Sequence, residues 1–342
     1  MTLKDLKRVV DRQAELFQPD FKYSVDQIDE LQFEEVPLHK VLGDLTAPEV
    51  VGLVFKRPDD ANVHYLTTDW SRHQLLQALG AREKWFDPVP ISTQVEELSR
   101  RRHVLDSMVF KTMKGDPAYP LRTLRGLVSS SYTDIPNVDI MEALVNTLPE
   151  DTSYALRRFS GLTDQAFYTY LLLDHPISLP GSTEGYPGVV IKNSEVGFTS
   201  LWVIPFLFIA DTGRAAVMEP LHLFRRIHRG KVNDLQEKFE EAIGKMKPLW
   251  ESLSAKIQTL DQITFANADE AMNEMERIIL HVKGAKLFAL RCRQAYQKAG
   301  YTAHTAYNIF ECICDTAGKD LDPDVSYSKN AVAGAVLLKL VL

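Results

Sequence analysis

Arginines and lysines are the residues whose spacing in this chain could do chemistry. From Ser99 to Arg125 stand Arg100, Arg101, Arg102, Lys111, Lys114, Arg122 and Arg125, against only Asp106 and Asp116. The stretch "RRIHRGK" adds Arg225, Arg226, Arg229 and Lys231 with no acid, and "LRRF" sets Arg157 and Arg158 beside Phe159. The chain as a whole has a net charge of −7, so these are local concentrations on an acidic background. A phosphate backbone is held by such concentrations, and Tyr119, Tyr132 and Phe159 could stack unpaired bases. The competing reading is a set of solvated helix faces whose arginines pair with acids.

Other chemistries find less support. The P-loop pattern GxxxxGK[ST] is absent, as are GxGxxG, HExxH and GxSxG. The histidines are scattered, and His222 and His228 are poorly spaced to share a helix face. Cys292, Cys312 and Cys314 form no disulfide framework and lack paired CxxC elements, so they read as small core residues. Asp59, Asp60, Asp134, Asp139 and Glu195 form no recognised metal constellation and read as solvated loop acids. No catalytic residue, metal ligand or cofactor is assigned, and the chain does not read as an enzyme.

The elements that must position the basic residues follow from periodicity. "VVGLVF" (50–55) and "ANVHYLTT" (61–68) predict a hairpin around "KRPDD". "DWSRHQLLQALG" predicts a helix capped by Thr68 or Asp69 and ended by Gly80, and 92–110 a second helix capped by Ser92 or Thr93. "LRTLRGLVSS" reads as strand, "NVDIMEALVNTL" as helix, and 154–174 as strand, turn, strand bending near Gly161. Residues 188–209 predict a hairpin so apolar that both faces need cover. Its turn, Lys192 to Gly197, is expected to present Lys192 and Asn193 at the surface. Beyond residue 230 the apolar spacing turns helical. The expected architecture is α+β: one small antiparallel sheet braced by helices, with a mainly helical C-terminal segment. The expected division is a β-containing segment 1–70, an α+β core 71–230 and a helical region 231–342. "MTLKDLKRVV" lacks an apolar signal core, and no run approaches the roughly 18 apolar residues of a membrane span, so a cytoplasmic protein without membrane contact is expected.

Three stretches resemble a family of unknown function carried by phages and conjugative plasmids. "LRGLVSSSYTDIPNVDIMEALVNTL" is similar to one of its segments. "GVVIKNSEVGFTSLWVIPFLF" resembles its apolar run with an Asn-Ser-acid-x-Gly turn. "HTAYNIFECICDTAG" resembles its closing helix. In order, they cover roughly residues 70 to 320. One departure is "ADTGRAAV", with Asp211, Thr212 and Gly213 where the family commonly has Cys-x-Asn-Gly; a structural turn is expected there.

The resemblance implies a phage- or plasmid-encoded protein in a bacterial cytoplasm. It points more remotely to single-strand annealing proteins of the lambda Red-beta and RecT kind, which oligomerise on a basic groove without ATP. The expected function is therefore ATP-independent binding and annealing of single-stranded DNA by a homo-oligomer. The expected contacts are Arg100, Arg101, Arg102, Arg122, Arg125, Arg157, Arg158, Lys192, Arg225, Arg226, Arg229 and Lys231. The rivals are an oligomeric assembly or host-interaction protein without DNA affinity and, more weakly, a metal-dependent nuclease. Self-association is also expected because apolar strands in a modest sheet leave edges that copies can cover, and because "AVAGAVLLKLVL" needs an apolar surface, its own or a neighbour's.

Overall fold

Two sheets, not one small sheet, organise the chain. The computed structural model describes residues 2–17, 20–22, 30–37, 49–57, 60–114, 121–148, 154–155, 160–172, 176–230, 234–283, 285–318 and 322–342. With strands numbered along the chain, the first sheet has the order β1 (Phe21–Lys22), β5 (Val109–Met113), β6 (Leu121–Val128), β4 (Asp60–Thr67), β3 (Glu49–Arg57), β2 (Leu31–Pro37). Its neighbours are antiparallel except β4 and β6, which run parallel. A parallel pair needs a crossover, and helices supply much of it: α2 (Asp69–Ala78), α3 (Glu83–Phe86) and α4 (Ile91–Arg101), numbered after the N-terminal α1 (Leu3–Ala14). Leu75, Leu76 and Leu79 of the α2 segment and Leu98 of α4 share a core with Leu53, Tyr65, Phe110 and Leu124.

Thr68 caps α2 as expected, its hydroxyl accepting the Ser71 N–H. The helix expected over 92–110 is shorter. Pro90 occupies its N-cap position in place of Ser92 or Thr93, a 3₁₀ turn covers Arg102–Leu105, and β5 begins at Val109. Ser107, at φ +61°, takes the chain out of helical geometry.

The second sheet is antiparallel throughout. Its spine is β13 (Arg214–Val217), β12 (Leu201–Ile209), β11 (Glu184–Asn193), β9 (Phe167–Leu172) and β7 (Tyr154–Ala155). β10 (Ile177–Ser178) adds to β11, β14 (Phe224–Arg226) to β12 and β8 (Gly161–Leu162) to β9. The bend expected near Gly161 falls instead at Thr163–Ala166, where the Thr163 hydroxyl accepts the Gln165 and Ala166 N–H groups. Asp211–Gly213 form the turn between β12 and β13, with Gly213 at φ +64°.

β11 and β12 are the hairpin read from the sequence, and both faces are covered. Val189, Ile191, Val203 and Leu207 face the core shared with the helices, while Val190, Ile204 and Phe206 pack with Tyr168, Tyr170 and Tyr327. Two prolines lie in these central strands, each at a gap in the outer ladder, where no N–H is called for. Pro187 precedes the stretch of β11 paired with β9, and Pro205 separates the residues of β12 paired with β14 from those paired with β13.

Helices α5 (Asn137–Thr147), α6 (Leu235–Gly244), α7 (Met246–Ile257), α8 (Ala268–Lys283), α9 (Lys286–Ala299), α10 (Ala306–Ala317) and α11 (Pro323–Val341) join α1 around the inner face of this sheet. Cys292, Cys312 and Cys314 are buried there as free thiols. Helix α11 contains the apolar C-terminal stretch, buried from Asn330 to Leu338 against the protein's own β13. Gly334 permits that docking, since a Cβ there would overlap the Val217 backbone. Among the described residues no helix is long and apolar enough to cross a membrane.

Candidate nucleic-acid interface

The polar turn of the β11–β12 hairpin is a joint between the two sheets. Asn193 is fully buried, not at the surface as expected: its amide donates to the Ile135 carbonyl at 2.9 Å and to Asn137 Oδ1 at 2.8 Å. The Ser194 hydroxyl donates to the Gln165 carbonyl at 2.6 Å, and its own carbonyl accepts the Tyr132 hydroxyl at 2.6 Å. Glu195 accepts the Asn137 N–H at the start of α5 (2.8 Å) and lies 3.0 Å from the Arg125 guanidinium. The Val196 carbonyl accepts from Trp70 Nε1 and Gln74 Nε2, while Gln74 Oε1 takes the Leu127 N–H. Gly126 leaves room for Val196, and Gly197 turns the chain at φ +78°. Residues 124–148 and 188–208 thus touch through their polar residues.

Beside the joint, Lys111 is buried with its ammonium 2.6 Å from both Asp20 and Asp134. Tyr132 stacks on His228 at 4.6 Å, and His228 Nδ1 is 3.0 Å from the Thr133 carbonyl. Burial raises the Tyr132 phenol and the Asp20 carboxyl and lowers the His228 imidazole. Desolvation resists the charged form in each case. Among the described residues no group of three or more His, Cys, Asp or Glu could hold a metal ion; Asp59 lies outside them.

The basic residues expected to line one surface are dispersed. Arg125 is buried in the joint, 3.0 Å from Glu195 and with its guanidinium 3.5 Å from the Phe17 ring centroid, so it does not face a ligand. Arg100 and Arg101, exposed at the end of α4, both pair with Glu97. Arg102 and Arg122 are half-buried on separate elements. Arg157, Arg158 and Lys231 lie outside the described residues, as do Tyr119 and Phe159. Tyr132, expected as a stacking platform, is committed to the joint.

What does come together is a row across the second sheet. Lys192 of β11 is directly opposite Tyr168 of β9 on one side and Trp202 of β12 on the other, and Trp202 is opposite Arg225 of β14. Opposed residues project from the same face, so Tyr168, Lys192, Trp202 and Arg225 form one line. The Arg225 guanidinium lies 4.5 Å from the Trp202 ring, and the Lys192 ammonium 4.1 Å from Tyr327 and 6.0 Å from Phe198. Phe198, 36% exposed, meets Trp70 edge-on at 5.1 Å, and Trp70 stacks on His73 at 5.7 Å. Cations and aromatic rings thus run from Arg225 to His73, with Arg229 exposed at one end, whereas Arg226, opposite the core residue Leu201, projects from the other face of the sheet.

Neither Arg225 nor Arg229 forms an ion pair among the described residues. Near Lys192 the balance differs. The Asp324 carboxylate accepts the Tyr168 hydroxyl at 2.6 Å, and Asp164, raised by burial and by neighbouring Asp324 and Asp69, is close by. Trp70, His73, Phe198 and Trp202 were not among the residues singled out from sequence. For Trp202 a signal existed, since a hairpin loop centred on Gly197 sets it opposite Lys192.

Comparison of the chain with protein-family models, with characterised proteins and with solved structures finds no significant match.

Proposed function

We propose that this protein binds single-stranded nucleic acid along the row from Arg225 to His73, and that it anneals strands without nucleotide hydrolysis. The observation that supports the reading is the succession of Arg225, Trp202, Lys192, Phe198, Trp70 and His73 in one continuous run. Rings stack bases of any identity, and cations between them follow the phosphates, so binding is strong at low salt and tolerant of sequence. A guanidinium lying on an indole offers a flat cationic face on which a base can stack. The strand's phosphates run on the Arg225 and Arg229 side, away from Asp164 and Asp324. The lack of a P-loop motif agrees with ATP independence, while the phage or plasmid setting rests on the resemblance alone.

The test is a titration with single- and double-stranded oligonucleotides at two salt concentrations, with annealing of complementary strands followed without ATP. Saturable, salt-sensitive binding that prefers single strands is the expected result. An absence of single-strand binding at low salt overturns it.

A self-assembly reading is favoured by one observation. Leu287 and Leu290, one turn apart on α9, are 65% and 52% exposed. Replacing both with Gln should lower the mass measured by light scattering if this face joins copies of the chain. An unchanged mass removes that interface.

A further inference from the structure

Beyond the C-terminal end of α2 lies a cavity of about 510 Å³, lined by Gly80, Arg82, Trp85, Phe86, Leu98 and Arg101. Its size falls in the roughly 300–1,000 Å³ range of small-ligand clefts. Trp85 is 70% exposed, and helix α3, which carries it, buries no residue. Packing therefore does not account for an indole here. Arg101 is held in place: Nη1 donates to the Leu79 carbonyl at 3.1 Å, and Nε is 3.6 Å from Glu97. Arg82 is exposed and makes no ion pair among the described residues, and the Lys84 ammonium sits 5.2 Å from the Trp85 ring. The lining thus holds two guanidinium groups, Arg82 and Arg101, against one carboxylate, Glu97, with a third cation beside the ring.

We propose that this cavity binds a nucleotide, with the base on the Trp85 indole and the phosphate on Arg82 and Arg101. Planar guanidinium groups match phosphate oxygens in pairs, while an exposed indole stacks any base. Phe86 and Leu98 supply the apolar wall behind the base. The inference extends the strand-binding reading. The imidazole of His73 lies 3.3 Å from the carboxylate of Glu83, two residues before Trp85, so the aromatic row ends next to the cavity. A nucleotide there has two sources, the terminal nucleotide of a bound strand or a free mononucleotide.

Calorimetric titration of the full chain with deoxyadenosine monophosphate tests the site directly. Saturable binding is expected, weaker for deoxyadenosine, and reduced by about tenfold or more in Trp85→Leu and Arg82→Ala. Both residues are exposed, and urea denaturation of the variants checks that they fold. The pair Trp202→Leu and Arg225→Glu should leave monophosphate binding unchanged while weakening oligonucleotide binding, so failure of the row and failure of the cavity are read separately. An oligonucleotide with a terminal phosphate that binds more tightly than one without assigns the strand end as the source. Equal binding of the two assigns the free nucleotide. Absence of monophosphate binding to folded wild type, or binding that both cavity variants retain, overturns the proposal.

Discussion

Arg125 and Arg225 each lay a guanidinium on an aromatic ring, at 3.5 Å from Phe17 and 4.5 Å from Trp202, yet they sit in opposite surroundings. Arg125 is buried, and Glu195 answers its charge within hydrogen-bond distance. Arg225 is exposed, and no carboxylate among the described residues pairs with it. The first holds two sheets together; the second lies open to solvent. A basic residue near an aromatic one is therefore no indicator of binding until the position of the nearest acid is known. Desolvation makes a buried, paired guanidinium costly to disturb, whereas solvent makes an exposed one cheap to move or recruit.

The largest expected difference lies in stability. Arg125→Met leaves the Glu195 carboxylate buried and unanswered except by the Asn137 N–H, which should cost about 3–5 kcal/mol in urea denaturation. The double variant Arg125→Met with Glu195→Gln should recover much of that. If single and double variants unfold alike, buried charge is not what the joint depends on. On the exposed side, Trp202→Leu keeps an apolar side chain but removes the stacking surface. It should weaken single-strand affinity by about 1–3 kcal/mol, and unchanged affinity would remove Trp202 from the interface.

A subtler contrast uses salt. Arg225→Glu with Arg229→Glu changes net charge as much as Lys256→Glu with Lys298→Glu, two exposed lysines on α7 and α9. Only the arginine pair should flatten the salt dependence, by about 0.7 of a slope unit for each phosphate that no longer meets a cation. Equal behaviour of the two pairs would mean that net charge, not this row, governs binding.

The smallest effect returns to the joint. Burial lowers the His228 imidazole, although Asp134, Glu195 and nearby backbone groups oppose that shift. The folded state thus prefers the neutral ring, and its contribution to stability is complete above the ordinary histidine value near 6.5. It is lost as pH falls from there through the folded value, because the unfolded chain takes up the proton first. Stability should therefore drop between about pH 7.5 and 5.5 more steeply in wild type than in His228→Phe. Parallel curves would show that the ring is not stabilised as the neutral form.

Local rules carried the sequence reading a long way. The two apolar, β-branched runs of 188–209 predicted the hairpin and its need for two covered faces, the hydroxyl of Thr68 marked the start of α2, and helical spacing marked the segments beyond 230. The same rules misplaced the end of α4, where Ser107 and the β-forming Val109–Met113 override a helical pattern. They also put Asn193 at the surface, since a polar turn ordinarily faces water and only a second sheet packed over it makes it a joint.

Residue types and their periods by themselves determined which segments become strands or helices and that the chain is α+β, because backbone preference and burial period are local properties. They also determined that basic residues are concentrated. Whether those cations hold the fold or face solvent was a matter for tertiary structure alone. Arg125 meets Glu195 only because two sheets come together, and Arg225 meets Trp202 only because β14 returns to pair with β12. The energy of a charge depends on its distance from other charges and from water, and chain order specifies neither.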